Sequence, residues 1–258
     1  LLTVFCVDAA DVTAVIPEGT GLVARIDVKT LRESPIGQDV LNAYPEKREG
    51  ISAFIETQIG FDPDTVHTAW LVTPKPGDAI LLLEGAFAAE RIRQTFGTKP
   101  NVTEHAEPDI PFAAEFWDEK EQKMKLGALL ADDLLAVGPV ELMEVLLAAR
   151  QGTHPVIDSN KPALAALREA GDTLVAVTVA PVNEWPDMDP AVARALQYAR
   201  LTANTHENLD VSLVLHTELP SQAEALGMLA QGLARLHNTP ALEKKKPLVS
   251  ALLGSLRM

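Results

Sequence analysis

The segment Phe112–Val137, FAAEFWDEKEQKMKLGALLADDLLAV, decides the fold class because it holds three apolar runs of strand length joined by short polar turns. In the first run Phe112, Ala114 and Phe116 recur at every second position, which is the period of one face of a β-strand. Strands connected by such short turns favour antiparallel pairing. The segment therefore predicts an antiparallel meander.

Helical patterns flank this meander on both sides. Upstream, Ser34-Pro35 is typical of an N-cap followed by the first helical residue, and a stripe ending in Phe96 predicts a helix that ends at Gly97. Downstream, a helix follows Gly138-Pro139, with its core-facing stripe predicted at Leu142, Val145, Leu146 and Ala149. Strands and helices in this order predict an α+β fold, with antiparallel sheets and helices packed on one face.

Two stretches of the chain resemble each other. Leu22–Val28 (LVARIDV) and Leu174–Val179 (LVAVTV) both follow a turn that contains glycine, and each is followed by a helix and a hairpin. The repeat predicts two related modules with the same strand order at about 20–97 and 172–237. We expect a first module at 12–152 and a second, shorter and incomplete one at 153–258.

The first residues have the features of an export signal. Leu1–Val7 is apolar, and Val7 and Ala9 occupy the −3 and −1 positions of a cleavage site. Residues 1–11 are therefore predicted to be a signal-peptide remnant and the protein to be periplasmic or extracellular, although an N-terminal strand fits the same residues. Cys6 does not indicate a lipid anchor, because Phe5 stands where a lipoprotein signal has a small residue.

Charge and composition exclude several classes of function. The 258 residues carry 22 basic and 36 acidic side chains, a formal net charge of −14, which disfavours binding to nucleic acid phosphates. A single cysteine excludes an internal disulfide framework and any multi-cysteine metal site. No stretch approaches the ~20 apolar residues that a spanning helix requires.

The order of these segments resembles a family of uncharacterised exported bacterial proteins. The resemblance is carried by LVARIDV, LRESPIG, IGFDPDTVHTAWLV, GDAILLLEGAFAAERI and LLADDLLAVG, which follow one another along the chain. It covers most of the sequence and implies a duplicated α+β module, a bacterial source and an export route. It consists of apolar pattern and turn residues, so it implies no activity and no functional residue.

Carboxylate pairs were considered as candidate sites. Asp62-Pro63-Asp64 and Asp187-Met188-Asp189 have a spacing that can bind Ca²⁺, but neither is followed by the glycine and glutamate of a calcium loop. Asp132-Asp133 would need burial to separate the two pKa values for acid/base chemistry, and it has the spacing of a β-turn. We interpret all three as turns and helix caps.

The histidines and the single cysteine do not indicate a catalytic or metal-binding site either. The six histidines are scattered without zinc-binding spacing, although His206 and His216 flank one hairpin, and Cys6 has no catalytic signature around it. We therefore predict no catalytic, cofactor-binding or metal-binding residue and no cofactor. Trp117 is expected on the strand face opposite Phe112, packed against a neighbouring module; an exposed indole would instead anchor a partner or a sugar ring.

Three functions fit these observations. The first is a non-enzymatic exported binding or scaffold protein, with an exposed apolar patch near Trp117. The second is a periplasmic carrier that holds an apolar ligand or lipid between sheet and helices. The third and least favoured is a hydrolase that uses Asp132 and Asp133. The sequence predicts an unidentified protein or an apolar ligand as partner, and no enzyme activity.

Overall fold

The computed structural model describes residues 12–43, 55–56, 60–75, 77–98, 101–107, 109–119, 121–157, 164, 175–179, 196–205, 209–217, 219–224 and 227–228. The described strands are β1 Leu22–Asp27, β2 Val66–Lys75, β3 Asp78–Gly85, β4 Val102–His105, β5 Phe112–Asp118, β6 Lys123–Ala131, β7 Leu134–Pro139, β8 Val175–Val179, β9 Leu196–Thr205 and β10 Leu209–Thr217. The described helices are α1 Val28–Glu33, α2 Pro35–Ala43, α3 Ala89–Gly97 and α4 Val140–Arg150, with short 3-10 turns at Val12–Ala14 and Pro63–Thr65.

The strands form one open sheet in the order β10-β9-β8-β1-β2-β3-β7-β6-β5-β4. The registered pairs are antiparallel, and the predicted meander is present as β5, β6 and β7, with Ala113 opposite Ala128 and Ala128 opposite Ala136. The α+β fold with antiparallel pairing is thus confirmed. β1 lies in the middle, between β2 and the much later strand β8.

Helices pack on both faces of this sheet, so the prediction that they lie on one face is wrong. On the first face, called the α4 face, Met143 and Leu146 of α4 pack with sheet residues such as Leu82. On the opposite face, called the α3 face, Ile92 and Phe96 of α3 pack with other sheet residues, including Leu129. The physical reason is that adjacent residues of β6 and β7 are both apolar, so these strands need cover on two sides.

Helix α4 buries part of its predicted stripe: Leu146 and Ala149 are buried, and the half-buried Leu142 packs against the core of the α4 face. Val145 is only half-buried, and Met143 and Leu147, which were not predicted, are buried. Because apolar residues occur around most of this helix, its pattern alone did not select one face. Arg150 at its end donates hydrogen bonds to the carbonyl oxygens of Leu130 and Asp109.

Local signals in the first part of the chain are confirmed. The hydroxyl of Ser34 accepts a hydrogen bond from the amide of Gly37 at 3.0 Å, and Pro35 is the first residue of α2. Gly60 has the expected left-handed backbone, with φ of +90°. Helix α3 covers Ala89–Gly97, with Phe96 buried.

The chain divides into two compact units. The larger comprises Leu1–Ala180 and Ala199–Val214, and the smaller comprises Pro181–Tyr198 and Leu215–Met258. β1, β2 and β3 are neighbours in the sheet in that order, and so are β8, β9 and β10. The predicted module boundary between 152 and 153 stays a prediction, and the predicted signal remnant at 1–11 lies outside the described residues.

Candidate binding surface

A row of apolar residues crosses the α3 face of five adjacent strands. The cross-strand pairs are Leu201 with Val177, Val177 with Ala24, Ala24 with Leu71, and Leu71 with Leu81. We define the uncharged patch as this row together with the residues two positions before and after each of its members in the same strand. The patch thus consists of Leu22, Ala24 and Ile26 in β1, Ala69, Leu71 and Thr73 in β2, Ala79, Leu81 and Leu83 in β3, Val175, Val177 and Val179 in β8, and Ala199, Leu201 and Ala203 in β9. Every residue of the patch is Ala, Val, Leu or Ile except Thr73.

The largest side chains of this row remain accessible to solvent. The exposed fractions are 41% for Leu71, 38% for Leu81 and 36% for Leu201, whereas Ala24 is only 8% exposed. Large aliphatic side chains thus project from the middle of a sheet, where they are normally covered. Exposed apolar residues that lie together in this way are a feature that interaction surfaces share.

The opposite face of the same strands is buried although it contains polar groups. Next to Ala24 and Leu71 in sequence, Arg25 and Trp70 point to the α4 face, where the guanidinium carbon of Arg25 lies 5.9 Å from the Trp70 ring centroid. Trp70 and Leu82 are 9% and 0% exposed. A sheet with one solvated face normally turns its polar residues outward. Here Trp70 is buried and Arg25 is half-buried on the α4 face, whereas large leucines are exposed on the α3 face.

The α3 face becomes charged at its other end. The ammonium nitrogen of Lys125 lies 2.6 Å from Asp118 Oδ2 and 2.9 Å from Glu121 Oε1. Partial burial by itself would lower the pKa of Lys125, but the hydrogen bonds and charges of the two carboxylates outweigh it, so the pKa is raised. Nearby, Arg93 lies 3.2 Å from Glu104. The uncharged patch is therefore one part of a face whose other part is charged.

A second exposed apolar feature is a pair on the α4 face. Trp117 and Met124 are cross-strand partners in β5 and β6, with exposed fractions of 44% and 39%. Phe112 and Phe116 pack on the α3 side, so the predicted orientation of Trp117 is confirmed. The pair is much smaller than the uncharged patch.

The carboxylate pairs that lie in the described part of the chain belong to local turns. Asp62 Oδ1 accepts a hydrogen bond from the Asp64 amide at 2.8 Å, and Asp64 Oδ1 lies 2.9 Å from Arg32 Nη1. Asp132 is exposed and Asp133 half-buried on the β6–β7 turn. The carbonyl oxygen of Asp133 accepts a hydrogen bond from the amide of Gly85, the last residue of β3, and that of Asp132 accepts one from the amide of Phe87. The Asp187-Met188-Asp189 triplet lies outside the described residues.

The histidines also have separate surroundings. His105 Nε2 lies 3.1 Å from Glu115 Oε1, and the ring of His216 stacks on Tyr198 with centroids 4.8 Å apart. His206, His237 and Cys6 lie outside the described residues. Within the described part of the chain, no group of three or more His, Cys, Asp or Glu residues is placed to hold a metal ion. None of the helices described is both long and apolar enough to cross a membrane.

Comparison with solved structures shows a distant likeness of fold. The bacterial protein TP0453 in crystal form I matches with a TM-score of 0.53 and 13% identity, over 88% of this chain and 86% of that chain. Its crystal form IV matches with a TM-score of 0.52 and 10% identity, over 88% and 85% of the two chains. No family model matches the sequence, and no curated protein matches it significantly. At these identities the likeness concerns the fold alone.

Proposed function

We propose that this chain is an exported, non-enzymatic binding protein and that the uncharged patch is its binding surface. The observation that carries the proposal is the exposure of Leu71, Leu81 and Leu201 in a part of the α3 face, the uncharged patch, that contains no charged residue. Removing apolar area from water contributes about 25 cal/mol per Å², so covering these side chains would stabilise a complex. The apolar N-terminal segment supports the export route.

A carrier of an apolar ligand or lipid is the second candidate, favoured by the chemistry of the patch. Thr73 supplies the one side-chain hydroxyl among its residues. Protein–protein interfaces contain about one hydrogen bond per 100–200 Å², whereas an acyl chain requires none. The exposed Trp117–Met124 pair instead favours a protein partner, since tryptophan is enriched among residues that dominate protein interfaces. The two surfaces therefore point to different classes of ligand.

We further propose that the sheet arose by duplication of one α+β module. The equal neighbour order of β1-β2-β3 and β8-β9-β10 supports this, as does the sequence likeness of Leu22–Val28 and Leu174–Val179. Leucines with exposed fractions of 36–49% also recur in the corresponding hairpin strands: Leu71 and Leu81 in β2 and β3, and Leu201 and Leu213 in β9 and β10.

Titration with a fluorescent long-chain fatty acid tests the binding surface. A carboxylate in the patch would have to lose its hydration when an apolar ligand binds, so we expect Leu71→Glu to weaken binding about tenfold or more. Met124→Glu is the matched control, because Met124 is similarly exposed but lies on the α4 face. We expect it to change the affinity less than about twofold.

Other outcomes of this titration separate the candidates. Loss of binding in Met124→Glu but not in Leu71→Glu would place the ligand at the Trp117–Met124 pair. Absence of saturable binding by the unmodified protein would contradict the carrier, and equal recovery of a protein partner by Leu71→Glu would contradict the patch as the binding surface.

The hydrolase alternative ranks last because Asp132 is exposed and Asp133 only half-buried, on a turn whose backbone carbonyl oxygens accept hydrogen bonds from Gly85 and Phe87. Hydrolysis of a panel of ester substrates by the unmodified protein that Asp132→Asn and Asp133→Asn abolish would contradict the non-enzymatic proposal.

A further inference from the structure

A buried hydrogen-bond donor on the α4 face is left without an acceptor. Trp70 is only 9% exposed and its indole nitrogen Nε1 is buried, yet none of the described residues accepts a hydrogen bond from it. An indole N–H can only donate, and leaving it unpaired in the interior is costly, so a buried indole nearly always finds an acceptor. Trp70 therefore offers a donor to a ligand.

The carboxylates on the neighbouring strands do not supply this acceptor. Asp27, at the end of β1, caps helix α1, where its Oδ1 accepts a hydrogen bond from the Thr30 amide at 2.7 Å. Glu84 lies two residues beyond Leu82, the cross-strand partner of Trp70 in β3, and it does not accept the hydrogen bond either. An acceptor for Trp70 thus has to come from outside these strands.

A positive charge lies directly beside the indole. Arg25 is the cross-strand partner of Trp70 in β1, and its guanidinium carbon lies 5.9 Å from the centroid of the indole ring. A cation over an aromatic ring does not use its N–H donors for that contact, and a guanidinium has five of them. Because Arg25 is half-buried, this position can also be reached from solvent.

A second arginine lies on the same face, two strands away. Arg25 stands opposite Ala176 of β8, Ala176 stands opposite Thr202 of β9, and Arg200 is two residues from Thr202 in β9. Side chains two residues apart in a strand point to the same side, so Arg200 also faces the α4 side, where it is half-buried. Two positive charges on one face attract an anion to this part of the molecule.

We propose that Trp70 and Arg25 bind the carboxylate of a small molecule on the α4 face. The indole N–H donates to one carboxylate oxygen and the guanidinium of Arg25 to the other, so each donor receives an acceptor and the positive charge receives a negative one. Hydrogen bonds between a guanidinium and a carboxylate are among the strong ones in proteins. The site lies opposite the uncharged patch, so the function proposed for the patch does not depend on it.

Nuclear magnetic resonance of the indole N–H groups tests the site, because the chain contains only three tryptophans. Trp70→Phe identifies the Trp70 signal by its disappearance. Sodium acetate is then added to the unmodified protein, with sodium chloride keeping the ionic strength constant. We expect a saturable downfield shift of the Trp70 indole proton, because a carboxylate accepts its hydrogen bond. The indole proton of Trp117, which is 44% exposed, is the internal control and should not shift.

Two arginine variants test the role of the charge. Arg25→Gln should raise the dissociation constant for acetate about tenfold or more, because hydrogen bonds to charged groups are the stronger ones. Arg91→Gln is the matched control, since it removes the same group from an exposed position in α3, on the other face of the sheet. We expect Arg91→Gln to change the constant less than about twofold.

Several outcomes would overturn the proposal. They are a Trp70 signal that acetate does not move, a shift shared equally with Trp117, an unchanged affinity in Arg25→Gln, and a response to inorganic phosphate but not to acetate. The titration of the unmodified protein decides the matter by itself if Arg25→Gln does not fold. Because acetate has no acyl chain to cover the uncharged patch, its binding at Trp70 is independent of the fatty acid titration.

Discussion

Both halves of the α3 face contain leucines, but these leucines are buried in one half and exposed in the other. In the half formed by β5 and β6, Leu129 is 0% exposed beneath α3. The ring centroids of Phe96 in α3 and Phe112 in β5 are 5.6 Å apart. In the half formed by the uncharged patch, Leu71 and Leu81 keep more than a third of their surface in water. Leucines at equivalent sheet positions thus form core in one half and accessible surface in the other. An exposed surface of a sheet can therefore have the composition of a core and differ from it only in having no helix packed over it.

The largest difference between the halves should appear in their stability. Leu129→Ala would leave a cavity beneath α3, and we expect it to lower the free energy of unfolding by about 2–5 kcal/mol. Leu81→Ala removes the same atoms from a 38% exposed side chain, and we expect a loss below about 1 kcal/mol. Urea denaturation of both variants measures the difference. Equal losses would show that the patch is core and would remove the basis of the comparison.

A smaller effect concerns the backbone that packs against α3. Gly60 has φ of +90°, and an added Cβ would lie 2.5 Å from Thr95 Oγ1 of α3, so we expect Gly60→Ala to cost about 1–3 kcal/mol. Gly97→Ala, at the end of the same helix, meets nothing within 4 Å and should be neutral or stabilising by up to about 1 kcal/mol. Thermal unfolding of the two variants distinguishes these cases. A stable Gly60→Ala variant would mean that the covered half tolerates rearrangement.

The smallest effect concerns the charged end of the face. Because the pKa of Lys125 is raised above 10.5 in the folded protein, its ion pairs stabilise the fold fully below the unfolded pKa. That contribution disappears as the pH rises through the higher folded pKa. Since Glu121 is 54% exposed, solvent screening limits the contribution to below about 1 kcal/mol.

Chemical denaturation between about pH 9 and about pH 12 measures this contribution, with Lys125→Met as the reference. The difference in unfolding free energy between the unmodified protein and Lys125→Met should shrink as the pH rises. A difference that grows with pH would contradict the assigned sign of the pKa shift.

Much of the fold follows from local sequence signals. The alternation around Phe112, the cap at Ser34 and the glycine at Gly60 each act within a few residues, and each predicted the observed structure. The stripe of α4 was predicted only in part: Leu146 and Ala149 are buried as expected, but apolar residues also occupy other sides of that helix, so only its packing selects Met143 and Leu147. Helix placement on both faces likewise depends on contacts between segments distant in sequence.

The uncharged patch could not be predicted from local patterns. In β1 the even-numbered positions, such as Ala24, are all apolar, whereas two of the three odd-numbered ones, Arg25 and Asp27, are charged, so the alternation favours the wrong face as the accessible one. The patch appears only when β1 is aligned with β2 on one side and β8 on the other. Trp117 could be predicted because its position depends on the alternation of one strand.

The central place of β1 has a consequence for the order of folding. β1 can pair with β2 as soon as the first part of the chain is synthesised, but its second edge must wait for β8, which pairs Val179 with Leu22. Pairings between residues so distant in sequence form slowly, because a long loop must first close. Until then β1 remains an open strand, and a nascent chain held at this stage is the one most exposed to aggregation or to capture by a chaperone.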